Sequence, residues 1–365
     1  MAHPEFSFDC DVNQFPSLTW NHLHINRGHL QAEATAPVGR EAAASLRLPD
    51  GVVFEQKLLS DLPPELLDIQ TGMGAEFDSQ FDGAMEKLEC RADVYRIGEG
   101  LQVADPVRVA VGVEDGIFDS VIVAGKGSES SFIFEFAAST GGGTVGNRIR
   151  IVACAGSRVD ISIVNLLDGK TVHFDSVGAS LKDQAAVKMT ELQLGGSRVY
   201  SGSLYELSGA GSQFDGRLAY LMDKDRSLDV NYVARQTGRE SSSSMKVDGV
   251  VSDEAQKTWR GTIDFVKGAR DAKGDEQEDV LLLSPSAVNK SLPVILCGEE
   301  AVDGRHGSSI GRLGSDILFY MQSRGIDAVS AKKIMVKSKV SSVSRFIPDA
   351  DVVERINRHL EGAFE

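Results

Sequence analysis

Between about residues 94 and 283 the chain is a series of short alternating runs with almost no helix-length stretch between them, and this limits the fold more than any other feature. Val107-Arg108-Val109-Ala110-Val111 is the clearest run. Val107, Val109 and Val111 share one face and Arg108 points away, as a strand with one buried side requires. Residues 121–123, 132–136, 148–151, 159–163, 228–232 and 262–265 follow in the same style, and Gly, Ser, Asn and Asp punctuate the gaps. One short helix is expected near residues 180–189. Residues 241–244, all serine, read as a flexible polar turn, and the charged stretch 271–279 reads as a loop. An alternating β/α sheet is excluded. A sandwich, a barrel or a β-solenoid remains, and with no exact repeat visible the pattern does not choose among them.

The flanks differ. Residues 1–92 mix loops with helix-like pieces. Asp61-Leu62-Pro63-Pro64 reads as a helix start, with Asp61 as cap and prolines in the first turn, where a missing N–H costs nothing. Residues 81–88 read as a second short helix. After Gly314 the chain turns helical. Ser315 is expected to cap a helix over 316–324 that Gly325 stops in the left-handed conformation. A second helix covers 328–339. A last one starts near Pro348 and places Val352, Val353, Ile356, Leu360 and Phe364 on one face. The implied divisions are 1–92, 93–303 and 304–365.

At 365 residues, 42% hydrophobic and 25% charged, the chain is expected to fold around a large core. A net charge of −15 disfavours nucleic acid and anionic membrane as partners. Cys10, Cys90, Cys154 and Cys297 form no Cys-x-x-Cys pair, which suggests a reducing compartment without a disulfide frame. The N-terminus lacks a basic stretch followed by an apolar run, and no apolar run is long enough to span a bilayer. A cytoplasmic location is expected.

Three local motifs carry little chemistry. Gly141-Gly142-Gly143-Thr144-Val145-Gly146 fits GxGxxG, but Arg148-Ile149-Arg150-Ile151 then alternates like a strand where a dinucleotide site needs a helix, so a hairpin loop is expected. No GxxxxGK[ST] occurs, so the chain has no P-loop for ATP. Gly307-Ser308-Ser309-Ile310-Gly311 matches the GxSxG elbow of serine hydrolases. His359 would be its base, with Asp316, Asp327, Asp349 or Asp351 to orient it, but the β/α sheet that carries such an elbow is not predicted. His22 and His24 would share one side of a strand near His29, a metal pair lacking a third ligand.

The stretch Gly304-Arg305-His306-Gly307-Ser308-Ser309-Ile310-Gly311, followed by Ile317-Leu318-Phe319-Tyr320-Met321-Gln322-Ser323-Arg324-Gly325-Ile326, resembles the SHGAT…LFYL-SRGI signature of the SufB/SufD family of iron–sulfur cluster assembly scaffolds. Gly261-Thr262-Ile263, Leu281-Leu282-Leu283 and Asn289…Pro293 fall in the family's order, so the resemblance covers residues 246–365 well. The middle matches in pattern only. Thr19-Trp20-Asn21 is similar to a family element near the start.

The resemblance implies a mainly β chain with a right-handed parallel β-helix core, a mixed N-terminal region and a helical C-terminal domain. The interior is then expected to be a continuous apolar column. It implies a non-catalytic scaffold that pairs through its β-helix with a SufB-like partner or a second copy. It also implies docking of a SufC-type ABC ATPase through residues 318–334, with Leu318, Phe319, Tyr320, Arg324, Gly325, Ile326 and Ile334 as the contacts. His306 becomes a candidate transient ligand for iron or an iron–sulfur cluster near the subunit interface, with Cys297, Glu299, Glu300 and Asp303 close in sequence. On chemistry alone, a histidine hydrogen-bonding across a tight turn before a helix is the favoured reading, and the resemblance brings the ligand reading level with it.

Departures from the family pattern refine this. Gly304 stands where a cysteine often precedes the motif histidine, and Glu278 or a neighbour replaces the SufB-type cysteine. Gly307 follows the histidine as in SufD. The chain therefore resembles SufD. A β-solenoid interaction protein that builds no cluster, and a hydrolase using Ser309, are the alternatives.

Overall fold

The computed structural model describes residues 5–16, 21–23, 25–35, 48–111, 116–137 and 141–362. β1 (Glu5–Val12) and β2 (Gly28–Thr35) form an antiparallel hairpin. β3 (Val52–Lys57), α1 (Pro64–Leu67) and α2 (Ala75–Lys87) complete an N-terminal lobe. The strands then run β4 (Ala92–Ile97), β5 (Val107–Val111), β6 (Gly116–Ala124), β7 (Glu129–Ala137), β8 (Gly143–Ala153), β9 (Arg158–Leu166), β10 (Thr171–Leu181) and β11 (Ala186–Gln193). β12 (Arg198–Leu207), β13 (Gln213–Met222), β14 (Ser227–Gln236), β15 (Ser242–Val251), β16 (Gln256–Phe265), β17 (Lys273–Leu282), β18 (Val288–Cys297) and β19 (Asp303–Arg312) follow. α3 (Ser315–Ser323), α4 (Ala328–Ser344) and α5 (Ala350–Gly362) end the described chain.

Even-numbered strands β4 to β18 form one sheet, with β3 at its edge, and odd-numbered strands β5 to β19 form the other. Only β3 runs antiparallel to its neighbour in these two sheets. Each coil thus gives one strand to each sheet, and the fold is a parallel β-solenoid, not a sandwich or a barrel. A coil cannot bury its inner face alone, so stacking is what builds the core. Val109, Phe134, Ile163, Met189, Leu218 and Val247 are among the side chains that fill it.

Both sheets are also covered outside. Phe8 of β1 and Phe77 and Phe81 of α2 cluster around Phe174 of β10. On the other sheet, Val336, Val340, Ile356 and Leu360 of α4 and α5 pack on Val164, Leu192, Leu221 and Val250. Middle strands are therefore buried on both faces, which removes the one-sided alternation expected from the sequence.

Several local expectations are corrected. Residues 180–189 hold no helix: β10 ends at Leu181, Gln184 turns with φ 56°, and Val187 and Met189 of β11 point into the core. Residues 242–244 open β15, where buried Ser243 donates to Gln236 Oε1 at 3.0 Å. Most of 271–279 is strand β17, with Gly274, Glu276 and Glu278 turned inward. Gly143 to Gly146 belong to β8, a parallel strand, so the expected hairpin loop is absent. Asp61 ends a 3-10 turn; Pro63 precedes α1 and Pro64 opens it. The helix expected at 81–88 starts earlier, at Ala75.

At the C-terminal side, Gly314 rather than Ser315 occupies the cap of α3. Gly325 has φ +82°, as expected, and Ile326 N–H donates to Met321 C=O while Gly325 N–H donates to Gln322 C=O, closing the helix. α4 runs on to Ser344, and Asp327 Oδ1 accepts from the N–H groups of Val329 and Ser330, both at 2.9 Å. Val352, Ile356 and Leu360 are buried and Val353 half-buried; Phe364 lies outside the described residues. The solenoid continues through Arg312, so the stretch around His306 is its last strand and not a turn before a helix.

Candidate functional site: the open end of the solenoid

Among the described residues the last coil has no successor. All ten residues of β19 are exposed, and β18 is half-buried along most of its length. Among the described residues each of these two strands pairs on one side only. His306 lies on β19 in register with Glu276 of β17. Ser308 Oγ donates to Glu278 Oε2 at 3.1 Å inside the coil, and a Cβ on Gly304 would meet Phe265 and Ile295. His306 sits between these two inward positions, so it faces the mouth of the solenoid interior.

The layer beneath it is charged. Lys257 pairs with Glu278 and donates to Ser291 Oγ at 3.2 Å. Trp259 Nε1 donates to Glu276 Oε1 at 2.7 Å. Burial pushes the Glu276 carboxyl up to about 7, against the Trp259 hydrogen bond. Burial also pulls Lys257 below the usual lysine range, against the Glu278 carboxylate. A Cβ on Gly261 would meet Glu276 Oε1 at 2.1 Å, so only glycine leaves room for this carboxyl.

Deeper inside, a second polar group interrupts the expected apolar column. His173 Nε2 lies 2.5 Å from Asp175 Oδ2, and Asn147 Nδ2 donates to Asp175 Oδ1 at 3.1 Å. Gln193 Nε2 bridges Asp175 and Glu191, and Tyr232 donates its hydroxyl proton to Glu191. Burial raises Glu191, with Asp175 adding to the effect. His173 is also raised: the Asp175 carboxylate outweighs the burial that works against its charge. The Tyr232 ring packs edge-on to Trp259, which links this group to the layer under His306.

The other candidates are scattered around the corner between β18 and β19. Cys297 is exposed at the end of β18, in register with Phe265. Glu299 accepts from the N–H groups of Gly268, Glu300 and Ala301, and those bonds hold its carboxyl below the usual range. Glu300 is exposed. Asp303 is clamped by Arg305 at 3.1 and 2.7 Å, which lowers it too. Among the described residues, no three His, Cys, Asp or Glu side chains gather in a metal-holding group. An open cleft of about 690 Å³ follows this edge, lined in part by Lys246, Asp248, Asp275, Asp279, Arg305 and His306.

α3 stands beside the open end and buries none of its residues. Phe319 is 74% and Tyr320 60% exposed; Ile317 and Ile334 are also exposed, and Leu318 and Ile326 are half-buried. The Arg324 guanidinium lies 5.4 Å from the Tyr320 ring centre.

Other motif matches do not assemble. Ser309 is on a strand, not an elbow, and His359 Nε2 donates to Leu194 C=O beside β11, four strands away in the same sheet. Four strand spacings are about 19 Å, far beyond proton-transfer reach. His22 lies in a 3-10 turn rather than a strand, His24 lies outside the described residues, and His29 instead meets Asp9 and Asp11 at 3.0 and 3.1 Å. Sequence reasoning missed Lys257, Trp259, Glu276, Glu191, Asp175 and His173. Period-two reading of residues 273–282 would have turned Glu276 and Glu278 inward with Val280.

The chain is thus a parallel β-solenoid with a polar open end and an exposed helix beside it. Residues 114–339 match the family model described as SUF system FeS cluster assembly, SufBD core domain, and the chain belongs to that family. The match takes in the middle coils, where the sequence resemblance rested on pattern alone. The chain is similar to the iron-sulfur cluster assembly protein SufD of Bacillus subtilis strain 168, 22% identical over 204 residues, covering 56% of this chain and 46% of that protein. A SufBD family protein of Mycobacterium leprae is 22% identical over 285 residues, 74% of this chain and 71% of that protein. The chloroplastic protein ABCI7 of Arabidopsis thaliana is 22% identical over 340 residues, 86% of this chain and 69% of that protein. The chain thus spans under half of the Bacillus protein's length. No helix among the described residues is long and apolar enough to cross a membrane.

Proposed function

We propose that this chain is a SufD-like, non-catalytic scaffold of a cytoplasmic iron–sulfur assembly complex. The uncapped last coil carries the reading. Ten exposed residues on one strand, with a backbone edge unpaired among the described residues, are a standing invitation to another strand. A SufB-like subunit or a second copy pairing there would seal the edges of β18 and β19 and bring His306 to the seam. His306 then serves as a transient ligand for the cluster or its iron, which is cargo here, and the partner supplies ligands that Cys297, Glu299, Glu300 and Asp303 do not assemble alone.

α3 and the start of α4 dock a SufC-type ABC ATPase in this reading, with Phe319 and Tyr320 as anchors and Leu318, Arg324, Gly325, Ile326 and Ile334 around them. Closure of two ATPase copies would strain the docked helices and bias the seam between two arrangements. The test is co-purification from the native host together with cluster delivery by His306→Ala. An associated ATPase and lost delivery support the proposal. Association with unchanged delivery favours an interaction protein that builds no cluster. Absence of any associated ATPase removes the docking reading.

A further inference from the structure

We infer that the α3–α4 face takes an acidic partner surface, and that charge attraction sets its rate of capture; this rests on the docking reading above. The chain carries a net charge of −15, yet residues 312–339 hold six cations, Arg312, Arg324, Lys332, Lys333, Lys337 and Lys339, against two carboxylates, Asp316 and Asp327. A local excess of four positive charges therefore stands on an acidic protein.

Most of this charge is unspent. Lys339 is held by Asp248 and Asp279, and Lys337 reaches Glu361 at 3.7 Å. Arg324, Lys332 and Lys333 pair with no carboxylate among the described residues. Asp327 is occupied as the cap of α4. Ala331, Val336, Val340 and Val343 are buried residues of α4, Ile334 and Lys337 are exposed, and Lys332 and Lys333 are half-buried at the edge of the buried stripe. Phe319 and Tyr320 are exposed on α3, which packs beside α4, and the Arg324 guanidinium lies over the Tyr320 ring.

That arrangement fits one kind of occupant: a protein surface with an apolar groove bordered by Asp and Glu. Rim charges steer encounter, and the desolvated aromatic centre holds the complex once formed. The acidic remainder of the chain repels the same partner, so approach is guided to this face.

The test measures association and dissociation rates of the full chain with the SufC-type ATPase of its own organism, between about 50 and 300 mM salt. The expected result is a fall in association rate of about tenfold across that range, with dissociation little changed. The variant K332Q/K333Q/K337Q is expected to lose most of that salt dependence, whereas F319A/Y320A raises the dissociation rate. A flat salt response with normal capture by the triple variant overturns the inference and leaves docking intact. No binding by the wild-type chain overturns the docking reading and this inference with it. Salt-sensitive capture of phosphatidylglycerol vesicles, lost in the triple variant while ATPase capture is unchanged, assigns the face to a membrane and overturns it as well.

Discussion

Trp259 Nε1 donates to Glu276 Oε1 at 2.7 Å one coil beneath His306, so the mouth of the solenoid rests on a carboxyl group that holds its proton near neutrality. The neighbouring Glu278 takes Lys257 for itself. Glu276 is left with burial and a single indole hydrogen bond.

This makes stability fall with pH. Glu276 is raised from an ordinary value near 4.5 to about 7. Its contribution is fully present below the unfolded value and is lost as pH rises through the folded one, worth roughly 3 kcal/mol in total. Urea unfolding of wild type and Glu276→Gln between pH 5 and pH 8 checks it. The wild type is expected to lose stability relative to the variant, which carries no such proton.

Lys257 and Glu278 are almost wholly buried. Lys257→Met strands a buried carboxylate and is expected to cost about 3–5 kcal/mol. Lys257→Met with Glu278→Leu is expected to recover most of that loss. Equal destabilisation in the single and double variants, read by denaturant titration, contradicts a coupled pair.

The N-terminal lobe lies on the solenoid through glycine contacts. A Cβ on Gly202 would meet Met73 N at 2.4 Å and Gly72 C at 2.5 Å. Asn231 Nδ2 donates to Gly72 C=O nearby, and Arg260 Nε donates to Ile25 C=O. Gly202→Ala is therefore expected to lift the lobe while the coils persist. Limited proteolysis is expected to cut before residue 90 much faster, with the circular dichroism of the strands nearly unchanged.

Asp327 fastens the start of α4 beside the exposed α3. Asp327→Ala is expected to cost about 1 kcal/mol and to speed amide exchange at Val329 and Ser330. Protection of Val340 and Val343, buried on the sheet, is expected to stay unchanged.

How much of this was readable from the sequence depends on the coil corners. The parallel solenoid came from the family resemblance, since alternation alone left three architectures open. A repeat does exist. Gly127, Gly156, Gln184, Gly211, Glu240 and Asp271 all have positive φ, and each stands two residues before a strand of the second sheet. Their N–H groups donate in a ladder, Gly127 to Ala155, Gly156 to Asp183, Gln184 to Ala210 and onward. Half of them are not glycine, which blurs the signal. Register also drifts: Val172 pairs with Arg198, 26 residues on, but Gln256 pairs with Val288, 32 on. The charged layer was missed for a different reason. Glu276 and Glu278 look like solvent-facing residues, and only the coil stacked above them makes them interior.

The two ends of the stack are unlike. At the far end, a reversed six-residue β3 covers one sheet and the other stops at a five-residue β5. The near end offers ten-residue edges on both sheets. Two such chains meeting mouth to mouth would consume the longest free edges among each other's described residues. Growth would then terminate at a pair, and a molecule built from strands as fibrils are would be kept from becoming one.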